Sequence, residues 1–278
     1  MMVSFSDMLT TARRERYAVG SFNVYNYETI RGVIESGRET RTPVIVAFGA
    51  GYLPNMEVDE VGALVRTMAA ASDTPVALHL DHCKSFDVIV RAVKAGFSSV
   101  MYDGSALPFE ENMRQTARVV EVAHAAGVGV EAELGALARG EHSNEEDASE
   151  IYTSPDEAKV FAQSTKVDAL AVSIGTVHGM YKGVPKVDVG VLKKIAAVVD
   201  IPLVLHGGSG TPEAIIRECI ANGIAKINVN TEISVNAVDK IRALLASGKG
   251  WHLSEISREE VGFVKEIVKK YMALFRAA

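Results

Sequence analysis

The sequence contains few cysteines and few aromatic residues. Its 278 residues include 2 cysteines and 1 tryptophan, and aromatic residues make up 6%. Cys83 and Cys219 are too few for a disulfide framework, so reduced thiols in a cytosol fit better. No apolar run reaches the roughly 18 residues that a membrane helix needs, and the first residues lack the basic and then apolar order of a secretion signal. We therefore expect a cytoplasmic protein without a membrane partner.

An excess of positive charge is also missing. Lysine and arginine number 29 against 35 aspartates and glutamates, which gives a formal net charge of -6. A nucleic-acid-binding surface is normally basic, so we expect no nucleic-acid partner. A phosphorylated small molecule is compatible with this charge, because a site can be locally positive in an acidic protein. The hydrophobic share of 48% excludes a disordered chain.

Short β-branched and apolar runs alternate with longer helical patterns along the chain. Several runs are almost continuously apolar, as in 43–48, which is typical of parallel strands buried on both faces. The predicted strands are Tyr17–Tyr25, Pro43–Ala50, Pro75–Asp81, Ser99–Asp103, Gly129–Leu134, Ala169–Ile174, Pro202–Leu205 and Ile224–Val229.

Amphipathic patterns between these runs predict helices. Thr211 followed by Pro212 is a typical helix start, with Thr211 as the N-cap and proline at the first helical position. A last amphipathic pattern, Ser257–Ala278, lies beyond the final strand. The other predicted helices are Glu28–Arg41, Asp59–Ala71, Phe109–Ala126, Pro155–Ser164 and Pro212–Ala221.

Eight β/α units in about 250 residues is the number found in a TIM barrel. The sequence therefore predicts an α/β fold, a (β/α)8 TIM barrel with an extra C-terminal helix, and a single domain over 1–278. A doubly wound open sheet is the alternative, but no G-x-G-x-x-G follows the first predicted strand. Active sites of barrels lie at the C-terminal ends of the strands, so polar residues there are the candidates for chemistry.

Three of the seven histidines, His82, His178 and His206, directly follow predicted strands. Three neutral imidazoles with one open position make the usual catalytic zinc arrangement, so these residues are candidate metal ligands at one barrel mouth. The remaining histidines are expected in the core or on the surface instead: His79, His124, His142 and His252.

Carboxylates cluster at the same strand ends. Asp81, Asp103 and Glu133 each lie at or near the end of a predicted strand. Acids among apolar neighbours are uncommon unless they are partnered, so each is either a buried acceptor or a functional group. A carboxylate beside a metal can move a proton at an alkoxide or orient a ligating histidine.

The loops after the last two predicted strands carry a second signal. One contains Gly207-Gly208-Ser209-Gly210, and the other contains Asn228-Val229-Asn230-Thr231-Glu232. In barrels these two loops often bind phosphate through backbone N–H groups at a helix N-terminus, and glycine allows the close approach. We therefore expect a phosphate-binding site there.

Two other features leave alternatives open. The long polar loop Ala136–Tyr152 is either a lid or a solvated charge run. Lys226 shares its strand parity with Asn228 and Asn230, so we expect it to point into the barrel. A desolvated lysine there could form a Schiff base, but a buried, paired lysine is the favoured interpretation.

The sequence resembles the class II, metal-dependent ketose-bisphosphate aldolases, the family of the fructose-bisphosphate and tagatose-bisphosphate aldolases. The resemblance covers essentially the whole chain, and its motifs are highly specific together. The matching segments are Phe22-Asn23, Leu78-His79-Leu80-Asp81-His82, Tyr102-Asp103-Gly104-Ser105, Val130-Glu131-Ala132-Glu133-Leu134-Gly135, Gly175-x-x-His178-Gly179, Leu205-His206-Gly207-Gly208-Ser209-Gly210 and Lys226-Ile227-Asn228-Val229-Asn230-Thr231-Glu232.

The resemblance implies roles for the candidate residues. Asp81 is expected to move the proton at the aldehyde oxygen, and Glu141 to be the mobile-loop base that moves the C3 proton. The expected catalytic Zn²⁺ ligands are His82, His178 and His206, and Asp103 and Glu133 match a second or alternative metal position. The residues expected to bind substrate are Asn23, Gly179, Gly207, Gly208, Ser209, Asn228, Val229, Asn230 and Thr231.

The implied reaction is the reversible cleavage of a ketose 1,6-bisphosphate, a phosphorylated sugar of carbohydrate metabolism. It gives dihydroxyacetone phosphate and an aldehyde such as glyceraldehyde 3-phosphate, by chemistry in which zinc stabilises an enediolate. Relatives also hold a monovalent cation, Na⁺ or K⁺, near the phosphate loops. The family and the extra tail helix favour a homodimer or homotetramer.

The sequence departs from the family in two loops that contact the aldehyde half. Relatives have Gly-Gly-x-Glu-Asp in the lid, whereas this chain has Ala138-Arg139-Gly140-Glu141-His142, which makes Glu145 and Glu146 alternative bases. The loop Phe48-Gly49-Ala50-Gly51 lacks the serine or threonine that relatives offer to substrate. A different sugar aldehyde is therefore an alternative second substrate.

Three further alternatives are a Schiff-base aldolase using Lys226, a metal-dependent barrel hydrolase and a non-catalytic partner subunit. The hydrolase would place a His-x-His pair after the first strand, where this chain has Phe22-Asn23-Val24-Tyr25. The presence of His82, His178, His206 and Asp81 argues against a non-catalytic partner subunit.

Overall fold

A closed barrel of eight parallel strands forms the centre of the fold. The computed structural model describes residues 1–144 and 151–276. Each barrel strand pairs with the next barrel strand along the chain, and the first pairs with the last, which closes the sheet. The barrel strands are β1 Val19–Asn23, β2 Val44–Gly49, β3 Val76–Cys83, β4 Ser99–Tyr102, β5 Gly129–Leu134, β7 Ala169–Val172, β9 Leu203–Leu205 and β10 Ile224–Val229. Two short strands, β6 Ala138–Arg139 and β8 Val177–His178, pair with each other outside the barrel.

Helices surround the barrel, and a 3-10 turn at Ala50–Tyr52 follows β2. None of the helices in the described ranges is both long and apolar enough to cross a membrane. The helices are α1 Phe5–Glu15, α2 Tyr27–Thr40, α3 Val58–Ala70, α4 Phe86–Ala95, α5 Phe109–Ala125, α6 Pro155–Thr165, α7 Val189–Ala196, α8 Glu213–Ala221, α9 Thr231–Leu245 and α10 Leu253–Arg276.

The predicted TIM barrel with an extra C-terminal helix is confirmed, because each predicted strand overlaps one barrel strand. The structure corrects two helix starts. Pro212, not Thr211, is the N-cap of α8, since its ψ of 138° is extended rather than helical. The tail helix begins at Leu253, ahead of the predicted start. The sequence analysis gave no range for four helices, α1, α4, α7 and α9.

The N-terminal end of the barrel is closed by α1. Phe5 and Leu9 of this helix are buried and belong to one apolar cluster with the barrel residues Val19, Ile45 and Val204. Apolar side chains therefore fill this end of the barrel. Buried polar side chains collect toward the other end, where the strands finish.

The tail helix α10 fixes the loops after β9 and β10. It packs closely on α2, where a Cβ added to Gly32 would lie 2.7 Å from Cγ1 of Val264. The hydroxyl of Tyr271 donates a hydrogen bond to the Glu232 carboxylate and accepts one from the backbone N–H of Gly210 at 3.3 Å. Because those two residues lie in the predicted phosphate loops, the extra helix supports the mouth of the barrel.

Candidate active site

Three histidines meet at the mouth formed by the C-terminal ends of the strands. His82 lies near the end of β3, His178 ends β8, and His206 directly follows β9. The ring centroid of His82 lies 4.6 Å from that of His206 and 5.0 Å from that of His178. One nitrogen of each ring lies within 4.8 Å of the other two. His82 also has a left-handed backbone with φ of 45°, a rare conformation that concentrates at functional sites.

The chemistry of these side chains fits a divalent metal. His178 Nε2 and His206 Nδ1 are buried and have no hydrogen-bond partner among the described residues. Leaving a buried polar atom without a partner costs about 1–3 kcal/mol. Burial lowers the pKa of both imidazoles, so both rings are neutral near pH 7. Neutral imidazole nitrogens are preferred ligands of Zn²⁺ and related ions, so a metal would satisfy both atoms.

Glu131 is a site residue to which the sequence analysis gave no role. Its side chain is fully buried, and Oε1 lies 2.9 Å from Nε2 of His206. Its Oε2 lies 2.8 Å from Nζ of Lys226. Burial raises the pKa of Glu131, but Lys226 and His206 outweigh this effect and lower the pKa to about 2. Alternation along the strand could have indicated this role. Residues two apart in a strand face the same side, so Glu131 lies on the same face of β5 as Glu133.

A second set of possible metal ligands adjoins the first. His82, Asp103 and Glu133 place ligand atoms within 4.8 Å of one another. Nδ1 of His82 lies 3.2 Å from Oδ2 of Asp103 and 3.9 Å from Oε2 of Glu133. Burial, together with the charge of Asp103, raises the pKa of Glu133 to about 8. The pKa of Asp103 is lowered, because hydrogen bonds from His82 and Ser105 outweigh its burial.

Asp81 is buried between two asparagine amides. Asn23 Nδ2 donates to Oδ2 at 2.9 Å, and Asn228 Nδ2 donates to Oδ1 at 3.1 Å. Burial alone would raise the pKa of Asp81, but the charges of His82 and Lys226 hold it well below its ordinary value. The side chain is therefore an ionised carboxylate beside the three histidines.

The loops after β9 and β10 line a cavity next to His82 and His178. Gly207 has φ of 72°, and a Cβ there would lie 2.3 Å from the carbonyl oxygen of Val177. Only glycine allows this close approach of two backbones. Asn230 is the N-cap of α9, whose first N–H groups favour an anion. Seven predicted substrate-binding residues line this cavity: Asn23, Gly179, Gly207, Ser209, Asn228, Asn230 and Thr231.

Two predicted substrate-binding residues do not line the cavity. The side chain of Val229 is fully buried in the apolar core, so it offers only its backbone. Gly208 donates its N–H to the carbonyl oxygen of Asn228 at 2.9 Å and thereby joins the two loops.

A second cavity lies on the other side of the histidines and shares His82 and His178 with the first. Its walls include Asp103 and Glu133 beside the histidines, and Lys84 and Leu53. His82 and His178 therefore lie on the wall between two cavities of different character. One cavity is built from glycine-rich loops, and the other from the loops after β2, β3 and β4.

The structure does not bring the predicted base Glu141 into either cavity. Its backbone exchanges two hydrogen bonds of 2.8 Å with Met180, and its side chain is exposed. The next turn of the loop does reach the mouth, because Ser143 is buried and lines the first cavity. The alternative bases, Glu145 and Glu146, lie outside the described residues.

Two of the other histidines lie away from the three grouped rings, one in the core and one on the surface. His79 is fully buried in β3, stacks on Phe5 with ring centroids 5.3 Å apart, and places Nδ1 2.8 Å from Oγ of Ser99. His124 lies on α5 with Nε2 2.8 Å from Oδ2 of Asp168. Neither ring belongs to the metal-ligand groups found among the described residues.

Comparisons with known proteins find one matching family model and several similar structures. Residues 3–278 match the family model described as fructose-bisphosphate aldolase class-II. The YdjI aldolase from Escherichia coli K12 has 36% sequence identity and a TM-score of 0.89, over 99% of this chain and 97% of that one. A Coccidioides immitis protein described as a fructose-1,6-biphosphate aldolase has 29% identity and a TM-score of 0.89, over 97% and 94%. The Campylobacter jejuni fructose-bisphosphate aldolase (Fba) shares the fold, with 22% identity and a TM-score of 0.83, over 99% and 95%.

Proposed function

The chain belongs to the class II fructose-bisphosphate aldolase family, and on that basis we propose that it reversibly cleaves a ketose 1,6-bisphosphate of the fructose or tagatose type. The products are dihydroxyacetone phosphate and an aldehyde such as glyceraldehyde 3-phosphate. The observation that carries the proposal is the position of His82 and His178, two of the three grouped histidines, on a wall shared by two cavities. A substrate that spans this wall places its central bond beside the metal ligands.

The three histidines at the mouth would hold the metal, which we propose to be Zn²⁺. When bound, the metal supplies a Lewis acid that polarises the substrate carbonyl and stabilises the negative charge that develops on its oxygen. His82, Asp103 and Glu133 offer a second or alternative position for a metal. Carboxylate oxygens there would suit ions such as Mg²⁺ and Mn²⁺, whereas imidazoles suit Zn²⁺.

Asp81 is the group that moves the proton at the aldehyde oxygen in this proposal. Its carboxylate is ionised, and the amides of Asn23 and Asn228 hold both of its oxygens in place. In cleavage, the carboxylate takes the proton from the C4 hydroxyl as the carbon–carbon bond breaks. In synthesis it returns that proton to the new alkoxide.

The cavity lined by Gly207, Ser209 and Asn230 would bind the phosphate of dihydroxyacetone phosphate. Backbone N–H groups at a helix N-terminus bind such an anion, and Gly207 lets the backbone come close. Binding energy from the phosphate then orients the reacting carbon, which is a large part of catalysis in two-substrate reactions. The acceptor aldehyde would occupy the second cavity.

A lid carboxylate would move the C3 proton, and we propose Glu141, Glu145 and Glu146 as the candidates. Glu141 starts from an exposed position, so its participation requires a movement of the loop toward the cavity. Closure of a loop over substrate is a common way for barrel enzymes to complete a site and exclude water.

A Schiff-base mechanism is disfavoured by the surroundings of Lys226. Its Nζ lies 2.8 Å from Glu131 Oε2 and donates to Asn228 Oδ1 at 2.7 Å. A nucleophilic lysine must be unprotonated and must reach a carbonyl carbon. A fully buried ammonium held by a carboxylate and an amide does neither.

The first test is the cleavage of fructose and tagatose 1,6-bisphosphates, each with EDTA, without EDTA, and with zinc added back. We expect release of dihydroxyacetone phosphate that EDTA abolishes and zinc restores, and the ratio of the two rates identifies the sugar. The variant His206→Ala should lose both zinc and cleavage. The matched control is His124→Ala on the surface of α5, which should keep both.

Two results would overturn parts of the proposal. Cleavage that resists EDTA would contradict the metal assignment. If the protein binds zinc but cleaves neither sugar, the proposed ketose-bisphosphate substrate is wrong. Dihydroxyacetone phosphate chemistry with a different sugar aldehyde would then be favoured.

A further inference from the structure

We propose that Glu131 and Lys226 form a buried charge pair that positions two working groups at once, the metal ligand His206 and the proton-transfer carboxylate Asp81. Neither residue is placed to touch substrate, so both act through other side chains. The role of Asp81 in this inference rests on the proposed aldolase function. The effect of Glu131 on metal binding does not depend on which substrate the protein uses.

The pair crosses the interior of the barrel. Glu131 lies in β5 and Lys226 in β10, strands that β7 and β9 separate in the sheet. Nζ of Lys226 lies 3.0 Å from Oε1 and 2.8 Å from Oε2 of Glu131. Both side chains are fully buried. The two charges therefore satisfy each other across the barrel below the histidines.

On the metal side, Glu131 decides which nitrogen of His206 carries the proton. A neutral imidazole has one N–H donor and one lone pair. Nε2 lies 2.9 Å from the Glu131 carboxylate, which is paired with Lys226 and can only accept, so Nε2 carries the hydrogen. Nδ1 then keeps its lone pair, and it is the buried nitrogen without a hydrogen-bond partner among the described residues. The carboxylate also makes the imidazole a stronger ligand.

On the proton-transfer side, Lys226 decides which way the amide of Asn228 points. An ammonium group can only donate, so the amide must turn its oxygen toward Nζ, at 2.7 Å. Its NH2 group is thereby directed at Asp81, where Nδ2 donates to Oδ1 at 3.1 Å. Without the lysine, the amide can rotate and present its oxygen to the Asp81 carboxylate, which would repel it.

The cost of burying such a pair supports a functional reason for it. Two charges lose their hydration inside a barrel, and a well-packed apolar replacement is often as stable or more stable. Removal of one partner alone is strongly destabilising, because the other charge stays buried without compensation. The pair therefore predicts different outcomes for stability and for function, and that difference can be measured.

The experiment uses the variants Glu131→Gln and Lys226→Met, and the double variant that carries both changes. Each is prepared without metal, and zinc affinity is measured by competition with a chromophoric chelator. Chemical unfolding gives the stability, and ketose-bisphosphate cleavage gives kcat, KM and the pH profile. The control is Lys265→Met, because Lys265 pairs with Glu35 between α10 and α2 on the outside of the barrel.

We expect Glu131→Gln to weaken zinc binding about 10–100-fold, the usual effect of losing the carboxylate partner of a ligating histidine. Lys226→Met should lower kcat about 10–100-fold, with a smaller change in KM and a shifted acid limb of the kcat–pH profile. The double variant should recover much of the stability lost in the single variants but keep the weak zinc binding. Lys265→Met should change neither zinc affinity nor kcat.

The proposal is overturned if Glu131→Gln binds zinc as tightly as the parent protein and Lys226→Met keeps its kcat and pH profile. It is also overturned if stability and zinc affinity recover together in the double variant, because the pair would then be merely structural. If the parent protein binds zinc but cleaves neither ketose bisphosphate, the proposed substrate fails, while the zinc measurement still decides the role of Glu131.

Discussion

Tyr52 and Asn230 are joined across the mouth of the barrel. The hydroxyl oxygen of Tyr52, on the turn after β2, accepts a hydrogen bond from Asn230 Nδ2 at 3.0 Å. The same hydroxyl accepts a hydrogen bond from Asn144 Nδ2 of the long loop, also at 3.0 Å. One phenol therefore connects the turn after β2, the loop after β10 and the long loop after β5.

Tyr52→Phe should raise KM for the ketose bisphosphate. The variant loses the hydrogen bonds with Asn144 and Asn230, each worth about 1 kcal/mol net, so we expect an increase of roughly 5–30-fold. The fold should persist, because the ring still meets Tyr25 edge to face with centroids 4.7 Å apart. Steady-state kinetics measure the effect, and Tyr17→Phe near the closed end of the barrel is the control. An unchanged KM would show that the connection does not affect substrate binding.

Asp81→Asn should lose most of its activity but keep its metal. The amide has a similar size but cannot take up the proton that a general base must accept, which typically costs 10²–10⁴-fold in rate. Because Asp81 is not among the grouped metal-ligand side chains of the described residues, zinc content should match that of the parent protein. Single-turnover rates and metal analysis of the same sample test both expectations. Equal loss of zinc and rate would instead place Asp81 at the metal.

Glu133 should make the metal-free protein less stable as the pH rises. Burial and the charge of Asp103 raise its pKa from 4.5 to about 8, so the folded chain retains a proton that the unfolded chain releases above pH 4.5. The stabilisation from this carboxyl is full below pH 4.5 and is lost as the pH rises to about 8. Glu133→Gln should therefore become progressively more stable than the parent across that range.

Chemical unfolding in EDTA, at several pH values between about 4.5 and 8, measures this difference directly. The comparison with the glutamine variant separates the contribution of Glu133 from that of every other titrating group. Parallel stability curves for the two proteins would contradict the raised pKa.

Gly207→Ala should damage the proposed phosphate site, because the added Cβ would displace the backbone there. The residue has φ of 72°, and its Cβ would lie 2.3 Å from the carbonyl oxygen of Val177, next to His178. We expect a loss of stability of about 1–3 kcal/mol and weaker binding of dihydroxyacetone phosphate. Gly183→Ala is the matched control, because nothing lies within 4 Å of a Cβ there. Equal stability and affinity in the two variants would contradict the close approach.

The order and number of barrel strands could be predicted because burial on both faces determines composition locally. The run around Val44–Gly49 is continuously apolar, and all of its residues are buried in the barrel. The placement of His82 and His206 at one mouth followed from their positions at strand ends, since parallel strands in a barrel all finish on the same side. The expected roles of these residues in metal binding and proton transfer came from the resemblance to a known family.

The boundaries of helices were less predictable. Thr211 and Pro212 both suit a helix start, and the choice between them depends on a single backbone angle. The helix α1 was not predicted, although it closes one end of the barrel. Its burial depends on strands that lie far along the chain. Local pattern cannot show which surface a short amphipathic helix will cover.

The amino-acid sequence by itself determined the barrel, the strand ends and the kinds of ligand that gather there, because residue type and period are local properties. Only the tertiary structure decided which atoms face each other. Glu131 lies 75 positions before His206 and 95 before Lys226, yet one carboxylate contacts both side chains. Such contacts depend on closure of the sheet, which brings the interior faces of distant strands to hydrogen-bonding distance and excludes the water that would otherwise satisfy them.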